Sequence, residues 1–521
     1  MKILTSAQMR QAEQDCTGLG ISTSMLMENA GHAVAHEIKR ILASVQQKHI
    51  IVLVGPGNNG GDGLVTARYL RDWGAQVVVA LLARRSSDDA NLMAVTQRGV
   101  AIVDFFGSGS PASLDLLLSS STDAVIDAVF GTGKVRSLRG SIAGILEKVS
   151  ELKAQHPALR IIALDLPSGL DADSGRIDPH CLFADNTITL GFPKPGLFQF
   201  PGAERTGKIS VVNIGIVESL VDSVPDELLT NEWAHSVLPK RPLGANKGTF
   251  GRVMVVAGSI NYVGAAYLAG SAAMRSGAGL VTLAAPSSLY PILASKLTEV
   301  THLPLPETVP GFAAAEAAIT VQRELKNCKA LLIGCGLGQH PSTMRFVKSL
   351  LLQKELPVPV VVDADALNLL AKIPHWWRKL PENAILTPHP REFARLTGLS
   401  VDDIQSGRID LARQKAQEWH QTVVLKGAYT VVASRDGKCR VAPFANPALA
   451  SAGTGDILAG VIAGLLAQGL PAPDAAACGV YLHGMAGEMV KDWMGDAGMI
   501  ASDLLPELPL SIKKLKQISA A

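Results

Sequence analysis

Charge of one sign is what this chain most lacks. Its 48 lysines and arginines are set against 46 aspartates and glutamates, with no polybasic stripe, so nucleic acid and membrane surfaces are poor partners for it. Cysteine is scarce as well: Cys16, Cys181, Cys328, Cys335, Cys439 and Cys478 form no CxxC pair and no repeated spacing. Buried free thiols in a reducing compartment are expected, not disulfides or a zinc site. Long hydrophobic runs are absent too, although the mean hydropathy is positive. The longest, Ile457 to Ala467, is glycine-broken and too short to cross ~30 Å of hydrocarbon. The first residues, MKILTSAQMRQAEQD, turn polar before a signal-peptide core could form. Export is therefore not expected, and a cytoplasmic location is.

At 521 residues the chain exceeds what one ordinary core accommodates, and at least two domains are expected. Apolar β-branched runs recur: HIIVLVG, DAVIDAVFG, RIIALDLPSG, RVMVVAGS, KALLIGCG and VPVVVDADA. Each closes on glycine or aspartate, as buried parallel strands ending in loops do, and the fold class is α/β. Between Glu218 and Asn246 the strand pattern lapses and Pro225, Pro239 and Pro242 appear among acidic and polar residues. Residues 221–239 are thus expected as a linker between domains at 1–220 and 240–515.

In the first half, helical spacing runs from Thr5 to Leu42 and includes the methionine-rich MLMENAG, which reads as core. Strand His49 to Val54 then meets GPGNNGGDG, Gly55 to Gly63, ahead of a helix expected from near Leu64. Gly55, Gly57 and Gly60 satisfy GxGxxG, so an ordinary dinucleotide fold is one reading. Arg84 and Arg85, after strand Gln76 to Leu82, would there suit a 2′-phosphate. Against it, Asn58, Asn59 and Asp62 fill positions that a pyrophosphate-hugging turn keeps small or apolar, which implies specific ligation. Asp127 in IDAVFGTG, and Asp165 and Ser168 in ALDLPSGLDADSG, stand at strand ends, where ligands bind in open α/β sheets. Asn59, Asp127 and Ser168 are oxygen donors that suit a hard cation, or else turn residues bonded to their own backbone; Asp165 is a spare carboxylate.

The ordered set QMRQAE, LMENAG, GPGNNGGDGLVTAR, IDAVFGTG, LDLPSGLDADSG and TLGFPKPGL, residues 1–217, resembles the NAD(P)H-hydrate epimerase domain. The resemblance implies a Rossmann-like three-layer fold. It implies binding of hydrated NADH or NADPH through Asn58, Asn59, Gly60, Gly61 and Asp62 and through Gly131, Thr132, Gly133, Lys134, Val135, Arg136 and Ser137. It further implies a potassium ion at Asn59, Asp127 and Ser168, with Asp165 as substrate contact and acid–base group at the hydrated nicotinamide. Many relatives carry an apolar residue where Lys134 stands, so no catalytic role passes to that lysine.

The second half opens on KGTFGRVMVVAGS, a glycine-rich turn and a strand to Ala257, then NYVGAAYLAGSAAMRSGAGLV, whose small residues allow close helix packing. GCGLG, Gly334 to Gly338, is another glycine turn at a strand end, followed by VVDADALNLL and by TPHPREFARL. His389 there lies between prolines, and a structural role is the simpler reading. VVLKGAYTVV sets Lys426, Gly427 and Thr430 in a strand-turn-strand hairpin. ASAGTGDILAGVIAGLLA, Ala450 to Ala467, joins a small-residue turn to a helical run with Asp456 at the junction. Gly453 and Gly455 expose amides there, so a phosphate can sit beside a carboxylate base. The competing reading makes Asp456 an ordinary helix N-cap.

Together these motifs, over residues 240–508, resemble the ribokinase-like ADP/ATP-dependent NAD(P)H-hydrate dehydratase domain. The resemblance carries nucleotide contacts to Lys426, Gly427, Ala428, Tyr429, Thr430 and Gly455, and hydrate contacts to Ala265, Gly338, His389 and Asp456. It implies Mg²⁺ at the nucleotide phosphates and Asp456 as the base, and likeness to bacterial two-domain relatives favours ADP as co-substrate. Phosphorylating the C6 hydroxyl turns a poor leaving group into phosphate, which the ring nitrogen expels. A site built for the (S) epimer would leave the (R) epimer unrepaired, which gives the first domain its purpose. Cys335 stands where relatives usually have proline, and Arg391 where many have glycine. The expected partners are small molecules, NADHX, NADPHX and ADP, and the expected assembly is a homo-oligomer. The rival reading is a small-metabolite kinase, whose product keeps its phosphate, fused to a nucleotide-binding domain without turnover.

Overall fold

The computed structural model describes residues 1–106, 121–133, 137–353, 355–382 and 384–517. Two compact units divide the chain, Met1–Val224 and Pro225–Ala521.

In the first unit the valine- and isoleucine-rich runs form β1 (His49–Val54), β2 (Gln76–Leu81), β3 (Ala101–Asp104), β4 (Ala124–Ala128), β5 (Arg160–Leu164), β6 (Asn186–Leu190) and β7 (Lys208–Val212). All pairs are parallel, in the order β3-β2-β1-β4-β5-β6-β7. Helices α1 (Ser6–Gly18), α2 (Thr23–Ile41) and α3 (Asn58–Asp72) belong to the layers around it. Side chains alternate across a strand. Ile51 and Leu53 therefore join Ile145, Leu146 and Val149 of helix Ser141–Gln155 in one apolar cluster. Val52 and Val54 join Leu26, Val34 and Leu64, from α2 and α3, in the other. This is the three-layer α/β arrangement. The strand order reverses between β1 and β4, which opens a crevice at their C-terminal ends.

The start of α3 differs from expectation. It begins at Asn58 behind a Gly57 N-cap, so Asn58, Asn59 and Asp62 lie in its first turns rather than in a loop. Glycines disfavour a helix by propensity alone; here close packing requires them. A Cβ on Gly60 would stand 2.2 Å from the Gly55 carbonyl oxygen, and one on Gly63 2.6 Å from Ala128 Cβ.

The second unit contributes β8 (Asp226–Leu228), β9 (Arg252–Val256), β10 (Leu280–Pro286), β11 (Thr301–Leu305), β12 (Glu307–Val309), β13 (Phe312–Ala313), β14 (Ala330–Ile333), β15 (Val360–Val362), β16 (Ile385–Leu386), β17 (Thr422–Leu425), β18 (Val431–Ala433) and β19 (Cys439–Val441). Ten of these form one sheet, β11-β10-β9-β14-β15-β16-β17-β18-β19-β8, while β12 and β13 pair separately. Only β17–β18 and β18–β19 are antiparallel within the sheet. Helix Thr454–Ala467 is apolar all round and buried along nearly its whole length, as a central core helix should be. It packs on helix Val263–Arg275 at backbone distance: a Cβ on Gly460 would meet the Ala269 carbonyl at 2.4 Å, and one on Gly464 the Ser276 hydroxyl at 2.0 Å.

Residues 221–239 are not the free linker expected from their prolines. Asp226–Leu228 pairs in parallel with β19, and the Asp226 carboxylate accepts two 2.8 Å bonds from the Arg413 guanidinium. Helix Asn231–Val237 follows, with Ala234 in the core. The prolines bracket an edge strand and a helix, positions where no backbone donor is needed. All six cysteines are buried and free. Among the described residues no helix is long and apolar enough to cross a membrane.

Two candidate active sites

In the first unit the expected residues converge at the C-terminal ends of β1, β4 and β5. Asp165 follows β5 with φ at 66°, a left-handed conformation that costs a non-glycine residue energy and that clusters at functional sites. Its Oδ1 accepts from Lys194 Nζ at 2.5 Å, from the Leu190 amide at 3.1 Å and from Thr189 Oγ1 at 3.2 Å. Lys194 is completely buried and also donates to the Leu190 carbonyl at 3.0 Å and to Thr189 Oγ1 at 3.1 Å. Burial, reinforced by the Asp165 charge, holds the carboxyls of Asp62 and Glu13 above the usual range. Asp62 is raised the more.

Asp165 and Asn59 share a wall. A Cβ on Gly131 would lie 3.1 Å from Asp165 Oδ2 and 3.2 Å from Asn59 Oδ1, so glycine at 131 leaves room for a ligand against both. Asp127, next to last in β4, lies beside Ser168: its Oδ1 accepts from Ser168 Oγ at 2.6 Å, and its Oδ2 from the Ser168 amide at 2.8 Å. Burial raises the Asp127 carboxyl. Both polar atoms of the buried Asn59 amide lack a partner among the described residues. Such an orphaned oxygen calls for a ligand from outside the chain. Arg85 is not placed to read a ribose: its guanidinium donates to the carbonyls of Gly55 at 2.8 Å and Gly57 at 3.2 Å and pairs with Asp89. It braces the loop instead. Ser137 is exposed, and Lys134, Val135 and Arg136 lie outside the described residues.

In the second unit the site lies at the ends of β14, β15, β16 and β17. Gly453, φ 91°, caps helix Thr454–Ala467 without a side-chain bond, so Asp456 is not its N-cap. Asp456 sits in the first turn, leaving the helix N-terminus open to an anion. Lys426 Nζ reaches the same place, since a Cβ on Gly455 would lie 3.4 Å from it. Lys426 donates to Asp363 Oδ1 at 2.8 Å and stands 3.9 Å from Glu392. Burial opposes its charge, but the carboxylates of Asp363 and Glu392 outweigh burial and hold its pKa up to about 12. Asp456 shows the reverse balance. Burial first, then the Asp363 charge, push its carboxyl up to about 7, a value suited to a base working near neutrality.

His389 caps helix Pro390–Thr397, its Nδ1 accepting from the amides of Arg391 at 3.1 Å and Glu392 at 3.3 Å. Burial, and then the Lys426 charge, lower its pKa to about 4, so the ring is neutral. Its structural role is real, and it also faces the Lys426 group. Ala265 touches the turn at Gly336, where an added Cβ would come within 2.7 Å of it. Gly338, φ 71°, donates its amide to Asp365 at 2.8 Å. Gly427 needs its φ of 140° and lies against the buried Arg408, which donates to the Leu425 and Lys426 carbonyls at 2.9 and 3.2 Å. Thr430 Oγ1 donates to the Gly427 carbonyl at 2.8 Å, the Tyr429 amide to Phe444 at 2.8 Å, and Ala428 lies between them in the turn.

Sequence reasoning passed over Lys194, Glu13, Asp363, Thr387 and Glu392. Lys194 stood in the quoted TLGFPKPGL and Asp363 in VPVVVDADA; the position of each at a strand end was the available signal. Glu13 stood in the quoted QMRQAE, and Thr387 and Glu392 in TPHPREFARL, with nothing local to single them out from their neighbours.

Fold and sites together describe two α/β units, one with a buried Asp165–Lys194 ion pair at its strand ends and the other with Asp456 in the first turn of a helix that has no side-chain cap. Residues 23–196 match the family model of the YjeF-related protein N-terminus, and residues 253–510 that of NAD(P)H-hydrate dehydratase. The bifunctional NAD(P)H-hydrate repair enzyme Nnr of Moorella thermoacetica is 41% identical over 99% of this chain and 98% of its own. That of Escherichia coli K12 is 33% identical over 96% and 92%. A solved structure, the ADP/ATP-dependent NAD(P)H-hydrate dehydratase from Bacillus subtilis co-crystallized with ATP/Mg2+, is 36% identical with a TM-score of 0.49, covering 56% of this chain and 98% of that one. The chain belongs to the family of bifunctional NAD(P)H-hydrate repair enzymes. Relatives that span both halves at once disfavour the kinase-plus-binder alternative.

Proposed function

We propose that Asp456 is the base of the dehydratase unit and that Asp165, paired with Lys194, moves the proton in the epimerase unit. The observation that carries this reading is a carboxyl with pKa about 7 in the first turn of a helix whose N-terminus has no side-chain cap. Asp456 takes the C6 hydroxyl proton of the (S) hydrate as the oxygen attacks the terminal phosphoryl group. Lys426 and the amides of the GTGD turn hold the transferring phosphate. The ring nitrogen lone pair then expels phosphate, and loss of a proton from C5 of the resulting iminium restores the C5=C6 double bond, which leaves NAD(P)H and, from ADP, AMP. Mg²⁺ arrives largely on the nucleotide phosphates and asks for few protein ligands, so it fits here without a protein cage, and when bound it neutralises phosphate charge.

In the other unit, Asp165 and Lys194 hold and move a proton at the C6 hydroxyl oxygen: the ring nitrogen lone pair expels it as water and water returns to the opposite face of the iminium, giving its proton back, so that (R) and (S) hydrates interconvert. Potassium fits the oxygen set of Asn59, Asp127 and Ser168 because the Asn59 amide oxygen is buried and unpartnered; when bound it supplies fixed positive charge. ADP as the preferred donor, a homo-oligomer and a cytoplasmic location complete the reading, the last supported by six buried free thiols.

Two expected results test it. The dehydratase kcat/KM should fall about tenfold per unit below pH 7 and level off above, because the working form of Asp456 is ionised and its pKa is about 7. A profile breaking near pH 4 would contradict the assignment. Exchanging K⁺ for choline should slow epimerisation and leave dehydration of the pure (S) epimer unaltered. Asn59→Ala should abolish the K⁺ dependence; a K⁺ response retained in that variant would place the ion elsewhere.

A further inference from the structure

Cys335 follows β14 and is completely buried. Its Sγ lies 3.7 Å from Asp363 Oδ2. The two oxygens of Asp363 are divided: Oδ1 accepts from Lys426 Nζ at 2.8 Å and from Thr387 Oγ1 at 2.6 Å, while Oδ2 faces the thiol. A carboxylate oxygen of Asp456 completes the group, and the three ligand atoms all lie within 4.8 Å of one another. On tetrahedral zinc, metal–sulfur and metal–oxygen bonds of ~2.3 and ~2.1 Å place S and O about 3.6 Å apart. The Cys335–Asp363 pair already has that separation. Asp456 needs to close by no more than about 1 Å, and, being only partly buried, it leaves a path from solvent.

We propose that Cys335, Asp363 and Asp456 form a site for a thiophilic divalent cation of the zinc type in the nucleotide-free dehydratase unit. Sulfur selects against Mg²⁺, which prefers an all-oxygen shell, and for zinc, cobalt or cadmium. The fourth position stays open. A dication with one thiolate and two carboxylates carries a net charge of −1, which the neighbouring Lys426 ammonium, shared with Glu392, offsets. Binding therefore releases the thiol proton, and the Asp456 proton in the molecules that carry it, so between one and two protons leave per ion. A consequence rests on Asp456 being the base, since one carboxylate cannot serve the cation and the substrate hydroxyl together. Zinc then inhibits dehydration and leaves epimerisation untouched.

The test uses the full chain, freed of nucleotide and titrated with Co²⁺. Expected are one equivalent bound, a thiolate-to-cobalt charge-transfer band in the near ultraviolet, release of one to two protons, and displacement by Zn²⁺. Cys335→Ser, and Cys335→Ala as a second variant, should lose the band and bind at least about 100-fold more weakly. No band in the unaltered protein, or an equal band in either variant, overturns the proposal. Asp456→Asn that keeps full cobalt affinity overturns the third ligand. Cobalt bound with all three ligands engaged, yet dehydration uninhibited, leaves the site standing and refutes Asp456 as the base.

Discussion

Asp456→Asn should lower the dehydratase kcat by ~10²–10⁴-fold, the span that removal of a positioned general base produces. The substitution keeps the shape of the side chain in the first turn of helix Thr454–Ala467 and leaves the Gly453 cap and the Lys426 ammonium in place. Substrate binding should consequently change far less than turnover, so the loss appears in kcat rather than KM. The neighbouring carboxylate cannot substitute. Asp363 Oδ1 is held by Lys426 and Thr387, and its Oδ2 faces the Cys335 thiol. Epimerisation by the same sample serves as the control for folding. A loss under tenfold would mean that the hydroxyl proton leaves by another route.

Lys194→Met should cost the first unit about 3–5 kcal/mol and its epimerase activity together. The ammonium is the counter-charge of a buried carboxylate: Lys194 is wholly buried, Asp165 is nearly so, and they meet at 2.5 Å. Methionine keeps the length of the side chain and removes the charge. What remains is an uncompensated Asp165 beside Asp62 and Glu13, whose carboxyls are already raised by burial and by Asp165 itself. Calorimetry should show the transition of the first unit lowered and that of the second unmoved. Adding Asp165→Asn should restore much of the stability without the activity, because it removes the uncompensated charge while keeping an acceptor for the Leu190 amide and a residue that tolerates the φ of 66°. An unchanged first transition in Lys194→Met would contradict the account.

Much of this was legible in the residues, and the reason is local. A strand buried on both faces must be apolar throughout, so HIIVLV and RVMVV declare themselves, and the turn after each must carry glycine or a short polar residue. Asp127, Asp165, Ser168 and Asp456 sit at those turns and could be singled out. The pairings that give them their chemistry are not local. Lys194 meets Asp165 across 29 positions, and Lys426 meets Asp363 across 63, distances that only the sheet order closes. Residues 226–237 misled for a related reason: a three-residue edge strand and a seven-residue helix are too short for periodicity to register. The start of α3 was missed because its glycines read as loop, whereas packing against β1 and β4 selected them.

The most direct measurement follows the reduced-nicotinamide absorbance after mixing the protein with equal amounts of (R)- and (S)-NADPH hydrate, Mg²⁺ and K⁺, with ADP and ATP in parallel. The account predicts full recovery of NADPH with one free phosphate per molecule restored, and with Asp165→Asn a fast phase that stalls near half. Accumulation of a phosphorylated nicotinamide product without free phosphate, or full recovery by Asp165→Asn at the unaltered rate, would contradict it.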